Sequence, residues 1–319
     1  MKVEISVIIP TMNRSEYLRQ AVESICAQSF TSDLFEIMII DNASTDNTRF
    51  VVEELQTNNP HVRYIYEEKP GLHNGRHRGA QEAKGEILVF VDDDIIAAPG
   101  WLKAIQKTFK DPDVALVGGK ILPKWEGDVP QWIDLFKIQT DYGWTIGYLS
   151  LLDFGNIRKD VPADFVYGCN FSIRRSVLYE CGGFHPDAMP QELIRYRGDG
   201  ESALSRKITE EGYRAVYEPE ATVYHLVSSE RLSVDYFYKR AFNQGVSDSF
   251  TEIRRKGGVC ETRGTRGNGG LINRLIRIIR EKPIQKKVRA SYFEGKEFHR
   301  KSVEADSELL SYVLRETYF

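Results

Sequence analysis

The chain has 319 residues, of which 41% are apolar and 28% charged, with a net charge of −3. That composition describes a folded globular protein and excludes a disordered, fibrous or uniformly basic chain; the length suits one large α/β domain with an appendage, or two domains. No apolar run approaches the roughly 18 residues a membrane-spanning helix needs, and the opening MKVEISVIIPTMNRS is too short in its apolar part for a signal peptide. Four cysteines, Cys26, Cys169, Cys181 and Cys260, are scattered without CxxC spacing, which reads as free thiols in a reducing cytoplasm.

Ile5–Ile9 is a continuous apolar run stopped by Pro10. Ser15 caps a helix carrying Tyr17, Leu18, Ala21, Val22 and Ile25 at helical spacing. A second strand, 35–40, ends at Asp41-Asn42, and a helix follows from Thr45 or Asp46. Residues 62–66 form a third strand; Gly71 then breaks the chain and a helix runs to a glycine stop at Gly85. The next apolar run ends in three consecutive carboxylates, Asp92, Asp93 and Asp94, before Ala97-Ala98-Pro99-Gly100 opens another helix. Alternation along an extended chain points Asp92 and Asp94 the same way. Adjacent charges repel unless water or a cation offsets them, and hard oxygen ligands suit Mg²⁺ or Mn²⁺. Read blandly, the triplet is a solvated acidic turn.

This β-α-β-α-β-α-β order predicts a mostly parallel sheet with helices on both faces. Each strand hands over to polar residues at its carboxyl end, where open α/β sheets bind ligands, so Pro10-Thr11-Met12-Asn13, Asp41-Asn42 and Asp92-Asp93-Asp94 assemble into one site. Neither GxGxxG after the first strand nor GxxxxGK[ST] is present, which disfavours a dinucleotide fold and a P-loop. Further on, 114–119 reads as a strand. Trp125, Trp132 and Trp144 stack on sugar rings or, more commonly for any one Trp, pack in a core. FVYGCNFSIR (165–174) reads as a strand carrying Gly168. Asp199 and Glu201 precede a helix with Leu204 and Ile208, where an N-terminal cap is the plain reading, and the strand RAVYEPEATVYH ends at His225.

Four pieces in order, SVIIPTMNR (6–14), FEIMIIDNASTDNT (35–48), GLHNGRHRGAQEAKGEILVFVDDD (71–94) and GDGESALSRKITEEGYRAVYEPEATVYH (198–225), resemble family 2 glycosyltransferases. The resemblance implies a GT-A fold over 1–225, with a nucleotide-binding half (1–119) and an acceptor half (120–225), followed by a mainly helical, basic extension over 226–319. It implies an inverting, metal-dependent transfer from a nucleoside-diphosphate sugar, by family frequency a UDP-sugar, to a carbohydrate, lipid-linked or small-molecule acceptor. Pro10, Thr11, Asn13, Asp41, Asn42, Arg76, Asp93 and Gly168 would surround the nucleotide sugar, although Asn42 stands where relatives commonly have an acid. Asp92 and Asp94 match the outer positions of the DxD motif and, with His225, would hold Mn²⁺ or Mg²⁺, Asp92 also facing the ribose. Alignment on Leu204 makes Glu201 the first choice of base and Asp199 the second, since the base must reach the attacking hydroxyl.

Between Glu252 and Lys301 fifteen Lys/Arg face five Glu and no Asp. Leu271, Ile272, Leu275, Ile276 and Ile279 follow helical spacing among arginines, with Pro283 ending the run. Residues 271–289 thus either touch an anionic membrane or pack on the catalytic domain. Cytoplasmic placement, peripheral to the inner membrane face, follows from that reading, with no nucleic-acid partner. Two other classes fit more poorly. A nucleotidyltransferase would show a glycine-rich basic loop after its first strand, and a non-catalytic sugar-binding protein would not need every carboxylate.

Overall fold

The computed structural model describes residues 2–259 and 282–319. They form two compact units, one of Met1–Pro190, Gly200–Ser229 and Glu316–Phe319, the other of Gln191–Asp199 and Glu230–Arg315.

The first unit begins β1 (Ile5–Thr11), α1 (Ser15–Cys26), β2 (Phe35–Asp41), α2 (Thr48–Asn58), β3 (Val62–Tyr66), α3 (Leu72–Glu82), β4 (Ile87–Phe90), β5 (Ile95–Ala97), α4 (Trp101–Thr108) and β6 (Val114–Gly118). It continues with β7 (Ile121–Trp125), β8 (Ile138–Gln139), β9 (Trp144–Ile146), β10 (Leu151–Asp153), β11 (Lys159–Asp160), β12 (Phe171–Arg174), α5 (Arg175–Glu180), α6 (Glu201–Glu210), β13 (Arg214–Tyr217) and β14 (Val223–Val227). The larger sheet runs β11-β13-β6-β12-β4-β1-β2-β3 and the smaller β5-β14-β7-β10-β9-β8. β1 to β4 are parallel, β12 is inserted antiparallel between β4 and β6, and β13 is again parallel to β6.

The central strands are apolar on both faces because helices cover both: every residue of β1, β2 and β4 is buried. α1 turns Leu18, Ala21, Val22 and Ile25 inward, as its spacing predicts. Phe90, Phe171 and Phe184 meet edge-on in the core beneath the carboxyl end of β4.

Several sequence expectations shift. Ser15 is the first residue of α1 rather than its cap, the N-cap position falling on Arg14 without a side-chain bond. Pro10 lies inside β1 rather than ending it. Val91 donates to Ile8 O, and β4's pairing with β1 stops at that residue, so the missing N–H at Pro10 faces a side where the partner strand has ended. The α3 helix stops at Glu82, short of Gly85, whose N–H instead donates to Ser6 Oγ at 2.9 Å. Gly168 sits in a 3₁₀ turn, Gly168–Asn170, that leads into β12. RAVYEPEATVYH is two strands in two sheets, because Glu218–Thr222 carries the chain from β13 to β14. Of the tryptophans, Trp125 is 37% exposed, while Trp101 is fully buried and donates to Asn170 Oδ1 at 3.1 Å. Cys26, Cys169 and Cys181 are free thiols.

At the chain's last residues His77 accepts a hydrogen bond from the Phe184 N–H (2.9 Å) and so donates through Nδ1 to the Tyr318 carbonyl (3.2 Å), with Phe319 stacked on its ring at 4.1 Å. Burial pushes this imidazole down to about 3, and His73 on the preceding turn to about 4.

The second unit is helical: α7 (Val234–Lys256), α8 (Pro283–Ala305) and α9 (Ser307–Val313). Gly245 and Gly295 mark the crossing of α7 and α8. A Cβ on either would come within 2.0 Å of a backbone carbonyl of the other helix, Tyr292 or Phe242. Tyr292 donates to Asp248 (2.7 Å) and Ser291 to the Tyr238 carbonyl (2.9 Å), fixing the pair in register. His299 is fully buried, bonded through Nδ1 to Ser249 Oγ at 3.0 Å and pushed down to about 4 by that burial. Pro283 opens α8, at the first-turn position where no N–H is required. The expected amphipathic run over 271–281 lies outside the described residues. Of 282–289, Val288 is buried while Lys286, Lys287 and Arg289 are exposed.

Candidate active site

The ends of β1, β2 and β4 bring their polar residues to one edge of the larger sheet. The acidic triplet divides where the chain leaves β4 and turns at Asp93-Asp94. Asp93 turns inward, where its Oδ2 accepts from the Thr11 hydroxyl at 2.7 Å and its Oδ1 meets Arg14 Nη1 at 3.1 Å. Arg14 also reaches Asp94 Oδ2 at 2.8 Å. Burial pushes the Asp93 carboxyl up, to about 7, against the pull of Arg14. Burial also works against the Arg14 charge, but Asp93 and Asp94 outweigh it and raise its pKa. One guanidinium thus offsets part of the repulsion that three adjacent carboxylates create. Arg14 was not picked out from the sequence. The signal was present as a cation three residues past the strand end, opposite an acidic run.

Asp92 and Asp94 turn to the other side and meet His225, with ligand atoms of all three within 4.8 Å of one another. His225 comes from the middle of β14 rather than from a strand end, paired with Ile95 and Pro123. Its Nδ1 lies 2.9 Å from the Leu149 carbonyl, which can only accept, so Nδ1 carries the hydrogen. In the neutral ring Nε2 then presents a lone pair to Asp94 Oδ1, 3.2 Å away. Two acceptors at that distance repel unless a proton or a cation lies with them. A backbone carbonyl orienting the far nitrogen is also the usual support of a ligating histidine. Two carboxylates and an oriented imidazole therefore fit a divalent metal ion that keeps coordination positions for substrate oxygens.

Arg76, Glu201 and Gly168 form the adjoining wall. Arg76 projects from α3, 3% exposed, with its guanidinium over the Phe184 ring at 4.9 Å, 3.8 Å from Asp92 and 3.4 Å from Glu201. Glu201 is the first residue of α6, and its Oε1 accepts from the Gly168 N–H at 3.3 Å. Gly168 lets both side chains approach: a Cβ there would stand 2.4 Å from Arg76 Nη2 and 3.1 Å from Glu201 Oε1 and would displace them.

The remaining sequence candidates occupy the rim as ties. Asn13, in the left-handed region at φ 55°, accepts from the Thr45 N–H at 2.6 Å and joins the loop after β1 to the loop after β2. Asp41 accepts from Tyr64 (2.7 Å) and from the Ser44 N–H (2.9 Å). Asn42 accepts from Gly71 N–H at 3.0 Å and donates to the Glu67 and Lys69 carbonyls. Pro10 would meet any side chain at Gly75, 3.1 Å from its Cβ. Asp199 belongs to the second unit, where it accepts from the Thr251 hydroxyl at 2.6 Å.

The family profile described as "Glycosyl transferase family 2" matches residues 6–182, more than half of the chain. The chain belongs to that family. It is an enzyme of the glycosyltransferase class. The glucosyl-dolichyl phosphate glucuronosyltransferase of Haloferax volcanii is 26% identical over 254 residues, 79% of this chain and 78% of that protein. The GalNAc(5)-diNAcBac-PP-undecaprenol beta-1,3-glucosyltransferase of Campylobacter jejuni is 33% identical over 128 residues, 40% of each chain. Among solved structures, the mannosyltransferase of Pyrobaculum calidifontis in complex with GDP-Man and Mn²⁺ superimposes with a TM-score of 0.57 at 18% identity, over 97% of this chain and 76% of that one. This glycosyltransferase accordingly has the GT-A fold, with C-terminal helices. The matched stretch contains Arg14, Arg76 and the acidic triplet, while Glu201 and His225 lie beyond it.

Proposed function

We propose that the enzyme transfers a sugar, with inversion, from a nucleoside-diphosphate donor to a hydroxyl of a lipid-linked saccharide acceptor. The convergence of Asp92, Asp94 and His225 within 4.8 Å, beside Arg76 and Glu201, carries this reading. Asp92, Asp94 and His225 would hold Mn²⁺ or Mg²⁺, which when bound would supply Lewis-acid neutralisation of charge on the leaving diphosphate. Arg76, held against Phe184 and close to Asp92, adds a fixed positive charge on the diphosphate side. Glu201 takes the proton from the acceptor hydroxyl. Its position against Gly168, where no side chain intervenes, supports that role over Asp199, whose carboxylate already accepts from Thr251. Attack opposite the leaving group inverts the anomeric centre. Pro10, Thr11, Asn13, Asp41 and Asn42 frame the nucleoside, with UDP the first base to test. Asn42 acts there through the ties it makes to residues 67–71.

The acceptor class is supported by the names of relatives that act on dolichyl- and undecaprenyl-linked sugars. Among the described residues no helix is long and apolar enough to cross a membrane. Residues 271–289 would then supply contact with an anionic surface, as co-sedimentation with anionic vesicles would reveal. The deciding experiment is nucleoside diphosphate release across a panel of sugar nucleotides with Mn²⁺, Mg²⁺ or EDTA. We expect one donor to be turned over with metal and none with EDTA. Turnover undiminished by EDTA would overturn the metal-dependent reading, and a product of retained configuration would overturn inversion.

A further inference from the structure

On the face of the smaller sheet opposite His225 lies a cavity of about 640 Å³, within the ~300–1,000 Å³ usual for small-ligand sites. Strand parity separates it from the carboxylates. Tyr224 pairs with Leu122 and Ile96, whereas His225 pairs with Pro123 and Ile95, and neighbours along a strand face opposite ways. Tyr224, 39% exposed, and Leu122 therefore form the cavity's flat apolar wall.

Its other wall is cationic. Lys103 and Lys107 stand one turn apart on α4, both exposed, and no carboxylate among the described residues pairs with either. Lys120 also lines the cavity, but its ammonium is engaged by Asn156 and lies 3.9 Å from Asp153. Glu220 is the one acid in the lining. A neutral sugar would leave the two lysines unmatched, and a bare anion would leave the aromatic wall unused. An acidic sugar engages both walls, with its ring on Tyr224 and Leu122 and its anionic group between Lys103 and Lys107.

We propose that this cavity is a second, non-catalytic carbohydrate site that takes a saccharide bearing a carboxylate or phosphate. The assignment stands independently of the donor-site reading, since no residue is shared between them. Titration by saturation-transfer NMR and calorimetry with glucuronate, glucose 6-phosphate, glucose and inorganic phosphate tests it. We expect both acidic sugars to bind at least about tenfold tighter than glucose and than phosphate. The Lys103→Gln/Lys107→Gln double variant should lose at least about tenfold for the acidic sugars while its nucleoside diphosphate release is unchanged. Tyr224→Leu should weaken the sugars and leave phosphate as it was. Glucose binding as tightly as glucuronate, or the double variant binding acidic sugars like the wild type, would overturn the proposal. Phosphate matching the acidic sugars would reduce the cavity to an anion site and overturn the saccharide assignment.

Discussion

The two units solve the problem of a buried polar group in different ways. In the first, buried and partly buried charges are linked to unlike partners: Asp93 to Thr11 and Arg14, Asp94 to Arg14, and Arg76 to Asp92 and Glu201. In the second, the helix pair is held by backbone closeness at Gly245 and Gly295, and its buried polar groups, such as His299 with Ser249, are neutral. The contrast teaches where substitutions should act. Changes among the charges of the first unit should strike turnover more than folding, and changes at the helix crossing should strike folding first.

The largest effect expected is at the metal cluster. Asp94→Asn removes a charged ligand, and loss of several kcal/mol of transition-state stabilisation corresponds to a fall of about 10³-fold in kcat. Nucleoside diphosphate release, with circular dichroism as a control on folding, checks this. A fall of less than tenfold would break the comparison. Glu201→Gln should follow, with kcat down by about 10²-fold and donor binding retained. Asp199→Asn should leave kcat near wild type and cost about 1 kcal/mol of stability through its weakened bond from Thr251. Equal losses, or the reverse order, would move the base to Asp199.

In the second unit, Gly245→Ala forces a methyl against the Tyr292 carbonyl and should destabilise by about 1–3 kcal/mol, measured by denaturant unfolding. An unchanged midpoint would show that the helix crossing does not hold the unit together. A last effect, read as a slope against pH rather than as a single substitution, is shared by both units. His73, His77 and His299 have folded pKa values of about 4, 3 and 4, below the unfolded imidazole's. The unfolded chain therefore binds more protons as pH drops through about 6.5, and each such histidine removes up to about 1.4 kcal/mol per pH unit until its folded pKa is reached. Stability should fall between pH 6.5 and 4. A flat unfolding midpoint over that window would contradict neutral burial, and His299→Gln should remove the second unit's share of the slope.

Much of the first unit was legible because its signals are local. Runs such as Phe35–Ile40 and Val62–Tyr66 are bounded by turn residues; Asp92 and Asp94 do reach one cluster, through a turn rather than the extended alternation expected. The parts that were not legible depend on neighbours distant in sequence. Pro10 stays in β1 because β4 ends beside it. Residues 214–225 divide between sheets because two strands, β6 and β7, accept the halves in turn. Arg14, Phe184 and the Leu149 carbonyl act across 80, 108 and 76 positions, spacings that periodicity does not reach.

The acidic triplet also spans a change of sheet. Asp93 and Asp94 sit in the turn between β4, in the larger sheet, and β5, in the smaller one. β5 pairs with β14 so that Ile95, next to Asp94, stands opposite His225, and the Leu226 N–H donates to the Asp94 carbonyl at 2.8 Å. The spacing between carboxylates and imidazole is therefore set by strand pairing rather than by side-chain contact alone. A residue inserted between Asp94 and Ile95 would slide the carboxylates past the imidazole while leaving both strands able to pair.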